Sequence, residues 1–362
     1  MKKILTIVGA RPQFIKAAAI SHIVRQRYAD RLTEDLLNTG QHYDEAMAGT
    51  FFHELDLPTP RYNLGVGSDT HGRQTAAMLS GVEEVMLSTH YDAVLVYGDT
   101  NSTLAGALAA AKLGVPVMHV EAGLRSYNRM MPEEINRVVA DQLSQLLFAP
   151  TATAAENLRR EGFDEERIVA SGDVMLDNLL YYSQYAKKLE GIDDGYILAT
   201  VHRDFNTDSE ERLKNILAGL CAAAEALGCE VVFPVHPRTR HRLDSMQDIP
   251  TARCIRMVEP LSYLATLGAL QGCRLVATDS GGLQKEAYFS GRPCVVLRRE
   301  TEWTEIVEAG AATLVDADAD RIAEAAGKMW NVRPTAPCEF GDGHAAEHIV
   351  DEILDAIQLP LY

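Results

Sequence analysis

Three acidic residues carry the chemistry this chain can offer. Asp99 stands in Leu95-Val96-Tyr97-Gly98-Asp99-Thr100-Asn101-Ser102-Thr103, Glu121 in Val117-Met118-His119-Val120-Glu121-Ala122-Gly123-Leu124-Arg125, and Glu133 in Met131-Pro132-Glu133-Glu134. Acids at the mouths of buried elements can serve as general base and general acid. Plainer readings exist: Asp99 can cap the helix that follows it, and Glu133 and Glu134 can favour a helix N-terminus through its dipole. Glu121 has no such capping role, and three acids at successive element ends favour a site.

Cations and backbone donors complete the set. Arg11 and Lys16, in Gly9-Ala10-Arg11-Pro12-Gln13-Phe14-Ile15-Lys16, sit where a dinucleotide fold would place Gly-x-Gly-x-x-Gly. That fingerprint is absent, so no nicotinamide cofactor is expected, and the two cations suit phosphate or carboxylate. In the second half, His202 and His236 end strand-like runs, and Leu275-Val276-Ala277-Thr278-Asp279 leads through Ser280-Gly281-Gly282 directly into a helix. Free amides at a helix N-terminus can hold a diphosphate. Glu286, one turn on, can accept from ribose hydroxyls, and Arg298 adds a cation after Pro293-Cys294-Val295-Val296-Leu297.

The elements that must position these residues read as alternating strands and helices. Runs such as Ala93–Tyr97 and Val115–Val120 are almost continuously apolar, as parallel strands covered on both faces are. Ligands in such sheets bind beyond the strand carboxyl ends, where Asp99 and Glu121 fall. A helix is expected from Glu133 to about Leu147, with Ile135, Val138, Val139, Leu143 and Leu146 or Leu147 on its buried side, and Leu146-Leu147-Phe148-Ala149-Pro150 also reads as a strand. The reading is an α/β protein of two Rossmann-like, doubly wound domains facing across a cleft. The first spans residues 1–170, the second 171–344, with a C-terminal helix, 345–362, crossing back onto the first; Met175–Asp177 reads as the connection.

The 362 residues suit two domains, and 47% hydrophobic residues can fill both cores. The net charge of −17, from 34 basic and 51 acidic residues, argues against nucleic acid or an anionic membrane as partner. No stretch approaches the length of a membrane span, and Gly9-Ala10-Arg11-Pro12 interrupts the first apolar run too early for a signal peptide. A cytoplasmic protein is expected, its six cysteines (Cys221, Cys229, Cys254, Cys273, Cys294, Cys338) reduced and none paired for a metal.

Two such domains, one offering acids and the other a nucleotide pocket, describe the GT-B architecture of sugar-nucleotide enzymes. Gly-Ala-Arg-Pro-Gln-Phe-Ile-Lys, Thr-Gly-Gln-His, Gly-Asp-Thr-Asn-Ser-Thr, His-Val-Glu-Ala-Gly-Leu-Arg, Pro-Glu-Glu-Ile-Asn-Arg, His-Pro-Arg and Asp-Ser-Gly-Gly-Leu-Gln-Lys-Glu-Ala occur in this order. With them the chain resembles, over essentially its whole length, the non-hydrolysing UDP-N-acetylglucosamine 2-epimerase family. Met-Met-Pro-Glu-Glu-Ile-Asn-Arg and Arg-Arg-Glu-Thr-Glu-Trp-Thr-Glu look closest to the branch acting on UDP-2,3-diacetamido-2,3-dideoxyglucuronic acid.

The resemblance implies an isomerase that interconverts UDP-N-acetylglucosamine and UDP-N-acetylmannosamine for surface polysaccharide precursors. UDP is eliminated to a glycal and then re-added, without cofactor or metal. It implies Asp99, Glu121, Glu133 and His202 as catalytic. Arg11, Lys16, Tyr263, Ser280, Gly281, Gly282, Glu286 and Arg298 would bind the nucleotide, with Tyr263 packing on uracil. Gln41, His42, Arg73 and His236 would contact a second, activating substrate molecule, and the protein would be a homodimer. Two departures stand out: Thr301-Glu302-Trp303-Thr304-Glu305 where N-acetylglucosamine enzymes carry Thr-Glu-Arg-Pro-Glu, and Gln41-His42-Tyr43-Asp44 in place of Gln-His-x-x-Gln. The diacetamido-glucuronate epimerase is the alternative activity; a GT-B glycosyltransferase, a hydrolysing epimerase and a non-catalytic sensor are the readings from other classes.

Overall fold

A computed structural model describes residues 1–41, 52, 54–246, 254–335 and 338–358. The chain forms two compact units: unit 1 runs from Met1 to Leu180 and resumes at Cys338, and unit 2 runs from Tyr181 to Pro337.

Unit 1 contains strands β1 (Lys2–Val8), β2 (Leu32–Asn38), β3 (Tyr62–Asn63), β4 (Ala93–Tyr97), β5 (Val117–Val120), β6 (Leu146–Ala149) and β7 (Ile168–Ala170). Its helices are α1 (Arg11–Arg27), α2 (His71–Ser88), α3 (Asn101–Lys112), α4 (Pro132–Leu143), α5 (Ala152–Arg160) and α6 (Val174–Tyr182), which runs into unit 2. The strands order as β3-β2-β1-β4-β5-β6-β7, and every pairing is parallel. The order reverses between β1 and β4, which opens a crevice at their carboxyl ends. Leu5 and Ile7 of β1, Val94 and Val96 of β4 and Val82 of α2 are fully buried in one core. Strands covered on both faces need such unbroken apolar runs.

Unit 2 repeats the plan. Its strands are β8 (Ile197–Thr200), β9 (Val231–Pro234), β10 (Ile255–Val258), β11 (Leu275–Thr278), β12 (Cys294–Val296) and β13 (Ala312–Leu314). They order as β10-β9-β8-β11-β12-β13, with the reversal between β8 and β11. Helices α7 (Asp204–Thr207), α8 (Glu210–Leu227), α9 (Pro237–Ser245), α10 (Tyr263–Gly272), α11 (Gly281–Phe289), α12 (Thr304–Glu308) and α13 (Ala319–Met329) connect them. Ile197, Leu213, Ile216, Phe233 and Val295 centre the core.

The chain then returns to unit 1 as α14 (Ala345–Ala356), which packs on α1. Tyr28 donates to Asp351 at 2.9 Å, and Arg27 meets Glu347 at 2.6 Å. Asp177 of α6 accepts from the first α14 amides, Ala345 at 3.2 Å and Ala346 at 2.7 Å.

Three local expectations are corrected. Helix α4 stops at Leu143 because Ser144 is extended, and Leu146 and Leu147 belong to β6. Its buried side carries Glu134, Asn136, Arg137, Ala140 and Asp141, while Ile135 is exposed. A polar network lies under this helix, so its polar stripe is the one that finds partners. The cysteines are not all reduced: Cys221 of α8 and Cys254, just before β10, form a disulfide with Cα atoms 5.6 Å apart. Met175–Asp177 lies inside α6. Among the described residues no helix is long and apolar enough to cross a membrane.

Candidate active site

In unit 1 the loops leaving β1, β4 and β5 are stitched together by side chains. Gln13, buried in α1, accepts from the amides of Gly9 (2.9 Å) and Ala10 (3.1 Å). Its amide group donates to the carbonyl of Tyr97 and to Thr103 Oγ1, both at 3.0 Å. One side chain thus fixes the β1–α1 turn against the β4–α3 turn. Gln41 does the same from β2, its Oε1 accepting from Ser102 N at 3.0 Å and Ser102 Oγ at 2.7 Å.

Lys16 reaches across the reversal to pair with Glu121, both side chains being largely buried. The pair lies against Gly98, whose φ is 60°; a Cβ there would stand 3.0 Å from Lys16 Nζ and 3.3 Å from Glu121 Oε1. Glycine is therefore required both for the turn and for the approach. Glu121 itself has φ 71°, a backbone state that costs a residue with a side chain of order 1–3 kcal/mol.

Asp99, next in the chain to Gly98, pairs with Arg137 of α4 and keeps 27% of its side chain exposed. Asn136 donates to the Asp99 carbonyl at 3.0 Å and to Asn101 Oδ1 at 3.2 Å. Glu133 and Glu134 differ sharply. Glu134 is buried and accepts from the Ser126 and Tyr127 amides, each at 2.9 Å, and from Arg137 at 3.1 Å. Glu133, at the start of α4, is only half buried. Arg11 is half buried at the first position of α1, and Arg73 is exposed on the first turn of α2. His42 lies outside the described residues.

In unit 2 the centre is Asp279, fully buried at the end of β11. It accepts from the amides of His202 (3.1 Å) and Arg203 (3.0 Å) and from Asn206 Nδ2 (3.1 Å), and it faces His202 Nδ1 at 3.2 Å. His202 is thereby aimed outward, about half exposed. Ser280 caps α11, accepting from Leu283 N at 3.4 Å. A Cβ on Gly281 would meet Glu302 Oε1 at 2.4 Å, whereas one on Gly282 would meet nothing within 4 Å. Glu286 is buried in α11. Arg298 is buried and pairs with Glu302 at 3.0 Å. Lys285 Nζ lies 4.1 Å from the centre of the Trp303 ring, a cation–π contact. Tyr263 is buried, its ring edge-on to Tyr182 at 5.7 Å, and His236 is exposed after β9.

The structure thus gathers Lys16, Asp99 and Glu121 at the reversal point of one sheet, and His202 with Ser280–Gly282 at that of the other. Sequence reading gave no role to Gln13, Arg137 and Asp279 and left Glu134 as a helix-dipole residue. All four stand inside motifs already singled out, Arg137 closing Pro-Glu-Glu-Ile-Asn-Arg one helical turn after Glu133.

Comparison with known proteins matches residues 25–354 to the family model described as UDP-N-acetylglucosamine 2-epimerase. The chain is 48% identical over 328 residues to the UDP-2,3-diacetamido-2,3-dideoxy-D-glucuronate 2-epimerase of Pseudomonas aeruginosa, covering 90% of this chain and 91% of that one. It is 43% identical to the UDP-N-acetylglucosamine 2-epimerase of Methanocaldococcus jannaschii, covering 96% of this chain and 98% of the relative. A crystal structure of a Methanocaldococcus jannaschii UDP-GlcNAc 2-epimerase in complex with UDP-GlcNAc and UDP superposes with a TM-score of 0.89 at 41% identity, covering 98% and 99% of the two chains.

Proposed function

The chain belongs to the UDP-N-acetylglucosamine 2-epimerase family, a GT-B-type isomerase acting on a UDP-sugar, and we propose that it inverts carbon 2 of a UDP-2-acetamido sugar by elimination and re-addition of UDP. The observation that carries this reading is the Glu121 carboxylate lying against Gly98, one residue before Asp99. Two acids are thereby held at adjacent strand ends, where one carbon can present opposite faces to them.

Carbon 2 has no adjacent carbonyl, so its proton cannot leave alone. One acid removes it as the bond from carbon 1 to the diphosphate oxygen breaks, with the electron pair departing on UDP and a glycal remaining. UDP then returns to carbon 1 while an acid on the opposite side delivers a proton to carbon 2. Asp99, Glu121 and Glu133 are the proton-handling residues of this reading, and Lys16 fixes Glu121. The developing diphosphate charge falls to the amides of Gly281 and Gly282 and to His202, groups set before the reaction begins, while the Ser280 amide donates to Thr278 Oγ1 at 3.0 Å and leaves the Ser280 hydroxyl to serve the site. Arg11 adds a cation, Glu286 takes the ribose, and Tyr263 is the aromatic proposed to pack on the uracil. Gln41, His42, Arg73 and His236 remain candidates for a second substrate contact. The protein is read as a cytoplasmic homodimer.

UDP-N-acetylglucosamine is the first substrate. UDP-2,3-diacetamido-2,3-dideoxyglucuronic acid is the second, favoured by the 48% identical relative and by Trp303 standing where the resemblance leads one to expect arginine. Proton NMR in deuterated water with each nucleotide decides. Deuterium at carbon 2 with appearance of the manno epimer identifies the substrate, and exchange with neither removes the epimerase reading.

A further inference from the structure

His119 is fully buried on β5, two residues before Glu121, and takes no part in the reaction as described above. Its Nδ1 lies 2.7 Å from Asp141 Oδ1, and its Nε2 lies 2.8 Å from the carbonyl oxygen of Gly98. The ring is thus held between one carboxylate and one backbone carbonyl, from two different turns. Asp141, also fully buried, accepts in addition from Arg125 Nη1 at 2.7 Å and from the Gly123 amide at 3.2 Å. Arg125 is held in turn by Glu161 through two contacts of 2.6 Å. Burial alone would push the Asp141 carboxyl up, but its bonds to His119 and Arg125 outweigh this and hold it below the ordinary value.

The anchoring points of this network bracket the two acids. Gly98 precedes Asp99 directly, and Gly123 follows Glu121 by two residues. Glu121 keeps its left-handed backbone because the Glu121 and Ala122 amides both donate to the Phe148 carbonyl, at 3.1 and 3.0 Å, while Asp141 pins Gly123. Such a conformation persists only where its surroundings over-determine it.

We propose that His119 is a positioning residue for the epimerisation: with Asp141 it ties the Gly98–Asp99 turn to the Glu121–Gly123 turn and so sets the spacing of the two acids. The proposal rests on the proton-transfer reading of Asp99 and Glu121. A buried histidine that only stiffens the core would contribute to stability alone.

The test uses the whole protein as His119→Gln and, independently, Asp141→Asn, with Val82→Ala, a core truncation in α2, as a control for lost stability. Each is assayed for kcat, for UDP affinity and for deuterium gained at carbon 2 per net epimerisation. His119→Gln is expected to lose about 100-fold in kcat, the cost of a misplacement near 1 Å. Its UDP affinity should stay within about twofold, because the amides and His202 that hold the diphosphate are untouched. The ratio of exchange to epimerisation should shift, whereas Val82→Ala should leave it unmoved. Should His119→Gln fail to fold, Asp141→Asn carries the same readout, since it cuts the tie from the other end. Wild-type kcat and ratio in whichever of the two variants folds overturns the proposal. Wild-type protein that exchanges no deuterium overturns the epimerase reading beneath it.

Discussion

Lys16 and Arg137 each hold one of the carboxylates proposed to move protons, so amide replacements probe chemistry more than architecture. Asp99→Asn, Glu121→Gln and Glu133→Gln are each expected to lower kcat by roughly 10²- to 10⁴-fold, the usual worth of a general acid or base. UDP affinity measured by calorimetry should change little. Glu134→Gln should behave differently, because its carboxylate serves the Ser126 and Tyr127 amides and Arg137. The expected loss is about 1–3 kcal/mol of stability, read as a lower thermal midpoint. Glu121 stood out because a carboxylate directly after an apolar strand has few structural uses, whereas Asp99, one residue past Gly98, had helix capping as a plainer reading. Their partners were not legible, since Lys16 precedes Glu121 by 105 positions and only the sheet brings them together.

The Ser280–Gly282 cap shows what a helix start can be built for. Gly281 is glycine because Glu302 packs against it, but among the described residues no atom lies within 4 Å of where a Cβ at 282 would stand. Gly282→Ala should therefore keep or slightly raise the thermal midpoint, since alanine is favoured in helices by about 0.5–1 kcal/mol. UDP affinity should fall by about tenfold, a loss of about 1.4 kcal/mol, because the methyl group takes space proposed for the diphosphate. The start of α14 depends on Asp177, whose carboxyl is pushed up to about 6 by burial, against the two amides it accepts from. An acid with its folded pKa above the unfolded value of about 3.9 favours folding when protonated. Its contribution is fully present below about pH 4 and is lost as pH rises to about 6. Unfolding midpoints of Asp177→Asn relative to wild type should therefore move in the variant's favour between pH 4 and pH 7. Helix α4 marks the limit of pattern reading: apolar periodicity assigns its inner face to Ile135 and Val138, but the stripe that finds partners is Glu134, Arg137 and Asp141.

Both units use one strand order, so their reversal points follow from the alternation of strands and helices that the sequence displays. The Cys221–Cys254 disulfide was not legible, because its 33-residue separation matches no motif and only the fold brings the two cysteines together. Charge reading at this scale works by exclusion: a chain of net −17 must meet any anionic ligand with local groups, and those proposed for it are Arg11, His202 and backbone amides. Unit 1 is discontinuous, since α14 packs on α1 after the chain has passed through all of unit 2. Removing the residues from 345 onward should raise amide hydrogen exchange in β1 and α1 while leaving β8 and β11 protected. The same topology sets an order on the ribosome. Domains usually close in the order they are translated, but here the second unit is finished while the first still waits for the helix that seals it. Throughout that interval the surface of α1 that α14 will cover is bare in the nascent chain. A chaperone that shields this surface until the last helix emerges would protect the first unit more than the second.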